Sequence, residues 1–136
     1  MKISTKGRYA LKVMIDLAQH NDGTYISLKE IAERQEVSTK YLEAIVGTLN
    51  KAGFVESQRG KTGGYRLAKS PEMFTVGAIL KISEGSLSPV SCLNGGEGLC
   101  DKAGECVSLP LWRNLDKVVD DYLESVTLKG LLEMRD

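Results

Sequence analysis

Three cysteines share one short, glycine-rich stretch of the chain. Cys92, Cys100 and Cys106 follow the spacing C-x7-C-x5-C within fifteen residues. An odd number of cysteines in so short a segment favours metal binding or redox chemistry over a disulfide framework. Thiolates are soft ligands that suit an iron–sulfur cluster or zinc, and the intervening glycines leave backbone amides available to donate to cluster sulfides. Thiols without a ligand role are the plainer alternative.

The cysteine count leaves a fourth ligand unidentified. His20 is the only histidine, and its predicted place at the end of the first helix is typical of a surface residue. Glu97, Asp101 and Glu105 are candidates within the cysteine segment, and a residue of a second subunit is another. The spacing matches neither a zinc finger nor a ferredoxin, so the type of centre stays open.

Three segments before residue 53 have apolar residues at helical spacing. Ser4 or Thr5 can cap the first helix, a capping box from Ser27 to Glu30 opens the second, and Ser38 can cap the third. The predicted apolar faces comprise Ala10, Val13, Met14, Leu17, Ala18, Leu28, Ile31, Ala32, Leu42, Ile45, Val46 and Leu49. Two short helices joined by a tight turn predict a helix-turn-helix.

A basic hairpin follows the third helix directly. Residues Phe54–Arg59 and Tyr65–Leu67 predict two strands, joined by a glycine-rich turn over Gly60–Gly64. The predicted fold is therefore mainly α with a small β wing, which is a winged helix-turn-helix.

The start of the second helix of a helix-turn-helix enters the DNA major groove. The candidates at that position are Ser38, Thr39, Lys40, Tyr41 and Glu43. Hydroxyls and Lys40 can contact phosphates, whereas Glu43 can accept from a cytosine amino group. In the wing, Arg59 and Lys61 are the candidates, with Arg66 nearby, and Arg59 would suit a minor groove. The alternatives are a helix cap at Ser38 and solvated charges elsewhere.

Residues 71–136 predict a sensor loop and a long C-terminal dimerisation helix, behind a DNA-binding domain over residues 1–70. A helix capped by Thr75 ends at Gly85, and residues 86–109 have little periodicity. The apolar stripe after Pro110 comprises Trp112, Leu115, Val118, Val119, Tyr122, Leu123 and Val126, and Thr127 can cap a last short helix. Such a stripe packs on its own domain or on a twin, and the two-fold symmetry of operators favours a homodimer.

Charge is distributed unevenly along the 136 residues, although 18 Lys plus Arg balance 18 Asp plus Glu. Residues 1–70 contain 12 basic and 7 acidic residues, and residues 71–136 contain 6 and 11. The net charges of +5 and −5 favour a polyanionic partner for the first half only. Because no run of about 18 apolar residues and no signal-peptide pattern is found, we expect no membrane span and a cytoplasmic protein.

Three stretches closely resemble the IscR, NsrR and RirA family of bacterial winged-helix transcription regulators. They are MKISTKGRYAL, YLEAIVGTLNKAGFVESQRGKTGGYRLA, and the cysteine segment that runs into LPLW. The resemblance covers essentially the whole chain and implies a homodimer, operator DNA as partner, and an iron–sulfur cluster that tunes operator binding. By position, Cys92, Cys100 and Cys106 match the cluster ligands, Ser38–Glu43 match the recognition helix, and Arg59 matches the minor-groove arginine.

Two departures from the family pattern leave the type of cluster open. IscR-type members carry a histidine shortly after the third cysteine, whereas Cys106–Leu109 contains none, and the first cysteine spacing is also longer here. A 2Fe-2S cluster is favoured and a 4Fe-4S cluster is the alternative. CymR-type cysteine regulators of the same family lack such cysteines and fit less well.

The leading hypothesis is a dimeric repressor controlled by a cluster. The first rival is a regulator with a thiol-redox switch or a zinc site in place of the cluster. An enzyme or a cluster carrier is a further rival, but no nucleophile and base occur at a suggestive spacing, so we expect no enzymatic activity.

Overall fold

The computed structural model describes residues 3–85, 87 and 107–134. Within those ranges the elements are α1 (Thr5–Gln19), α2 (Leu28–Gln35), α3 (Thr39–Lys51), β1 (Val55–Gln58), β2 (Gly64–Leu67), a short 3-10 helix (Pro71–Met73), α4 (Val76–Glu84), α5 (Leu109–Ser125) and α6 (Leu128–Glu133). The predicted winged, mainly helical fold with a long C-terminal helix is confirmed. No helix in these ranges is long and apolar enough to cross a bilayer.

Hydroxyl side chains begin five of the helices. Ser4, Ser27, Ser38, Thr75 and Thr127 each accept a hydrogen bond from the backbone N–H three residues further on. Four of these caps are the predicted ones, and Ser4 rather than Thr5 begins α1. Removing a cap of this kind costs about 1 kcal/mol, so these residues determine where each helix starts.

The apolar faces predicted for the first three helices meet in one core. Its fully buried side chains include Met14, Leu42 and Leu49, which come from α1 and α3. Helix α1 also packs against α4 and α6, so it lies at the centre of the domain. Burying a side chain of this size contributes about 1.5–3 kcal/mol. Helix α1 therefore contributes strongly to the stability of the core that it shares with its neighbours.

The wing is joined to the segment between α1 and α2. Strands β1 and β2 are antiparallel, and Ile26 and Tyr65 exchange two backbone hydrogen bonds of 2.8 Å. Strand β1 is one residue shorter than predicted at each end. Phe54 is outside it because its N–H donates to the Leu49 carbonyl in the turn after α3. The wing is thus tied to the helix-turn-helix by backbone as well as by sequence.

Among the α-helices of the described residues, α5 has the smallest share of buried residues. It begins at Leu109 with Pro110 in its first turn, and Leu109 is its only buried residue. The helix contacts α4, while Leu111, Val118 and Tyr122 are 60%, 64% and 59% exposed. In the predicted apolar stripe, Val118 and Tyr122 are therefore exposed, and its other members are half-buried.

Candidate nucleic-acid interface

The predicted recognition residues lie together at the exposed start of α3. Ser38 is the N-cap, and its hydroxyl accepts from the Tyr41 N–H at 3.1 Å. Thr39, Lys40 and Glu43 are exposed, and Tyr41 is 38% exposed despite its large ring. The buried side of α3 is formed by Leu42 and the apolar residues that follow it, so the polar side chains must face outward. This end of the helix can present hydroxyls, a cation and a carboxylate to one partner.

Helix α1 supports Tyr41 through a residue that the sequence did not single out. The ring of Tyr9 meets the ring of Tyr41 edge-on, with centroids 5.7 Å apart and an angle of 89° between the planes. Lys12 places its ammonium 4.7 Å from the centre of the Tyr9 ring. Edge-to-face pairs of this geometry contribute about 0.5–1.5 kcal/mol beyond burial, so Tyr41 is held in place.

A cavity of about 470 Å³ separates the start of α1 from the start of α3. Its lining consists of Lys6, Ser38, Lys40, Tyr41, Ala44 and Ile45. Two lysines from different helices thus line one cavity together with Ser38 and Tyr41, and no acidic residue is part of the lining. This arrangement can accept a phosphate group. Lys6 was missed because only the fold brings it beside α3, and the one sequence signal was the basic character of the N-terminal residues.

The two candidate residues of the wing, Arg59 and Lys61, are exposed in the turn between β1 and β2. Lys61 also lines a second cavity, of about 510 Å³, between this turn and the start of α2. Hydroxyls of Thr24, Ser27 and Thr62 belong to the same lining. Glu30 belongs to that lining as well, so the part of this surface that suits a nucleic-acid backbone is the turn itself, where Lys61 and Thr62 can donate to phosphate oxygens.

Arg66 has a different role from the other basic residues of the wing. Its Nε donates to Glu56 and its Nη1 donates to the Gly23 carbonyl, both at 2.9 Å. Its guanidinium also lies over the Tyr25 ring, 4.4 Å from the ring centre. Because these contacts use two of its three nitrogens and one face of the guanidinium, Arg66 links the wing to the segment before α2 instead of reaching outward.

A buried carboxylate ties α1 to α2. Asp16 is 3% exposed, and Arg34 donates to both of its oxygens, at 2.9 and 2.7 Å, while Gln35 donates at 3.3 Å. The hydrogen bond to Asp16 raises the pKa of the Arg34 guanidinium above its ordinary value. This cluster holds the first helix of the helix-turn-helix in place, and its sequence signal was an aspartate among the apolar positions of α1.

The cysteine segment lies outside the described residues. Cys92, Cys100 and Cys106 and the candidate ligands Glu97 and Asp101 fall there, as does Glu105. His20, in contrast, is described, and its Nδ1 lies 2.8 Å from the Asp16 carbonyl oxygen. Across residues 3–85, 87 and 107–134, no three His, Cys, Asp or Glu side chains form a group that could hold a metal ion.

Comparison with known proteins identifies the family. The model of the Rrf2 family, described as an iron-dependent transcriptional regulator, matches residues 3–134. The chain belongs to the Rrf2 family. It is therefore a DNA-binding transcription regulator with a winged helix-turn-helix, and the expectation that it is not an enzyme is confirmed.

Two relatives of this chain are named as HTH-type transcriptional regulators. IscR of Vibrio campbellii is 37% identical over 98% of this chain and 78% of its own length. An HTH-type transcriptional regulator of Neisseria meningitidis is 39% identical over 99% of this chain and 90% of its own.

Solved structures give the same picture. CymR, the global cysteine regulator of B. subtilis, is 40% identical with a TM-score of 0.81, covering 100% of this chain and 99% of its own. IscR of T. potens is 39% identical with a TM-score of 0.78, covering 98% and 87%. Overall similarity therefore does not distinguish the IscR branch from the cysteine regulator CymR.

Proposed function

We propose that this Rrf2 regulator is a cytoplasmic, homodimeric repressor whose operator binding is controlled by an iron–sulfur cluster. Cys92, Cys100 and Cys106 would hold the cluster, with 2Fe-2S favoured over 4Fe-4S. The observation that carries the proposal is that three thiols occur in the one segment that connects α4 to α5. A bound cluster would supply a centre that responds to iron loss, oxidation or nitrosylation.

The exposed side of α5 supports the homodimer. Leu111, Val118 and Tyr122 are spaced by seven and four residues, which places them on one face of a helix. Covering large apolar side chains on an exposed helix face favours association, by about 25 cal/mol per Å² of apolar surface removed from water. A second copy of α5 offers the same face, as two-fold symmetry requires.

The DNA surface of the proposal combines three elements. The start of α3 would enter the major groove with Ser38, Thr39, Lys40, Tyr41 and Glu43. Arg59 and Lys61 of the wing would contact the neighbouring groove and backbone. Lys6 adds a third element, because it lines the same cavity between α1 and α3 as Lys40 does.

Replacing any one of the three cysteines is expected to abolish cluster binding. After anaerobic reconstitution with iron and sulfide, the parent protein should gain visible absorbance, and Cys92→Ala, Cys100→Ala and Cys106→Ala should each lack it. Titration of operator DNA with cluster-loaded and cluster-free parent protein then measures how far the cluster changes operator affinity. Lys102→Ala, a non-ligand change in the same segment, is the control and should load normally. Three cysteine variants that all keep the absorbance would exclude this cluster assignment.

A second candidate function has zinc or a thiol-redox switch in place of the cluster. The similarity to the cysteine regulator CymR supports this second candidate. Metal and sulfide analysis of protein purified without oxygen separates the two. Iron with acid-labile sulfide supports the cluster. Zinc without labile sulfide, or no metal together with reversible thiol oxidation, supports the second candidate.

Removing the Lys6 ammonium is expected to weaken DNA binding regardless of sequence. Each phosphate contact contributes about 0.9 to the slope of log K against log salt concentration, so Lys6→Ala should make that slope shallower by about this amount. Binding to operator and to unrelated duplex DNA should weaken by a similar factor. Lys129→Ala removes the same charge from α6 and is the control. An unchanged slope for Lys6→Ala would show that Lys6 does not contact phosphate.

A further inference from the structure

The last turns of α5 rest on α4 through one carboxylate. The hydroxyl of Thr75 donates to Glu124 Oε2 at 2.9 Å, and Lys81 Nζ donates to Glu124 Oε1 at 3.0 Å. Lys81 also pairs with Asp120, one turn earlier on α5. The hydrogen bonds that Lys81 donates to Asp120 and Glu124 raise the pKa of Lys81 above its ordinary value. The cation therefore persists at any pH used for DNA binding.

A glycine allows this close approach. Gly77 is buried in the first turn of α4, and a Cβ there would lie only 2.9 Å from Glu124 Cδ. The backbone holds the same place, because Val76 N–H donates to the Val126 carbonyl and Leu128 N–H donates to the Phe74 carbonyl, both at 2.8 Å. The C-terminal end of α5 is thus fixed to α4, and we call Thr75, Gly77 and Lys81 the Glu124 seat.

A small change of angle at the Glu124 seat displaces the far end of α5 by a large distance. Helix α5 has 17 residues. At 1.5 Å per residue it is about 25 Å long, so a change of about 10° at the seat moves its other end by about 4 Å. That displacement exceeds the ~3.4 Å rise of one base pair. In a dimer that joins through α5, such a tilt would change the separation of the two recognition helices.

We propose that Glu124 is a positioning residue that sets the half-site spacing which the dimer accepts. The inference rests on the α5-mediated dimer proposed above and adds a specificity determinant to it. If the seat served stability alone, its loss would lower the free energy of unfolding without changing which spacing is preferred. Spacing preference therefore separates the two roles.

The test begins with operators selected by the parent protein from random-sequence duplex DNA. Duplexes in which the separation of the half-sites is shortened or lengthened by one and two base pairs are then titrated, together with a single half-site. The variants are Glu124→Ala and Lys81→Met. Glu133→Ala, which removes an exposed carboxylate from α6, is the control. Sedimentation equilibrium measures the oligomeric state of each protein.

A parent dimer should prefer its own spacing by about 10-fold or more, since the loss of specific contacts at one position typically lowers affinity by about that factor. In Glu124→Ala and Lys81→Met that preference should fall to about threefold or less. Affinity for the single half-site should stay within about twofold of the parent, because the winged helix is untouched. The control should keep the parent profile.

A folded, dimeric variant that retains the parent's spacing preference overturns the positioning role. If Glu124→Ala does not fold, Glu124→Gln is measured instead. It keeps the side-chain size and one acceptor, so partial broadening supports the role and a parental profile overturns it. A parent that is monomeric refutes the dimer of the proposed function and this inference with it, whereas a dimeric parent that prefers no spacing refutes this inference alone. The two failures are thereby distinguished.

Discussion

Gly64→Ala is expected to detach the wing from the helix-turn-helix and to lower operator affinity by more than about 10-fold, the loss of at least one specific contact. Gly64 has a φ of +148°, a conformation that favours glycine. An added Cβ would overlap the Ile26 carbonyl and lie 2.7 Å from the Ser27 backbone nitrogen. These atoms belong to the backbone and cannot rotate away, so the paired hydrogen bonds between Ile26 and Tyr65 must break.

The expected cost of Gly64→Ala is about 2–5 kcal/mol, the sum of backbone strain and overpacking. Urea unfolding measures the cost, and operator titration measures the effect on binding. Gly23→Ala is the matched control. Gly23 also has a positive φ, +89°, but nothing lies within 4 Å of an added Cβ. Its cost should be confined to strain, about 1 kcal/mol. Equal costs for the two variants would contradict the steric explanation.

Asp16→Ala is expected to destabilise the protein by about 2–3 kcal/mol. Breaking a fully buried pair costs about 3–5 kcal/mol because one charge is left without its partner. The Arg34 side chain is 35% exposed, so water recovers part of that loss. Urea unfolding of Asp16→Ala, Arg34→Ala and the double variant should give a coupling energy of about 1–3 kcal/mol.

Glu30 provides a matched control for Asp16, because it lies 3.8 Å from the same arginine but is 61% exposed. Glu30→Ala should cost no more than about 0.5 kcal/mol, and that cost should disappear in high salt. The cost of Asp16→Ala should persist in high salt because the pair is shielded from ions. If both acids contribute equally, the cluster between α1 and α2 is an ordinary surface interaction.

Much of the fold could be predicted because it depends on near neighbours in the chain. Ser27, Ser38, Thr75 and Thr127 cap the predicted helices, since a cap bonds a backbone N–H only three residues away. The apolar spacing of the first three helices likewise located their buried faces. The candidate recognition residues followed from the position of Ser38, and the structure places them together at one exposed helix start.

Long-range contacts could not be predicted from the same patterns. Arg66 and Arg59 are both basic wing residues, but Arg66 is the one that donates to Glu56 on the neighbouring strand and to the carbonyl of Gly23, which is 43 positions away in the chain. Lys6 joins Lys40 across a cavity, and Tyr9 supports Tyr41, only after α1 and α3 have packed together. A charged residue's sequence surroundings do not say which partners the fold brings to it.

The sequence by itself determined the helix starts, the winged fold and the presence of three thiols in one segment, because each depends on residue type and short spacing. Only the tertiary structure decided that Asp16 is buried against Arg34, that Lys6 faces the recognition helix, and that Glu124 rests on α4. Those outcomes follow from how the helices pack, and packing is settled by the whole core at once rather than by any one segment.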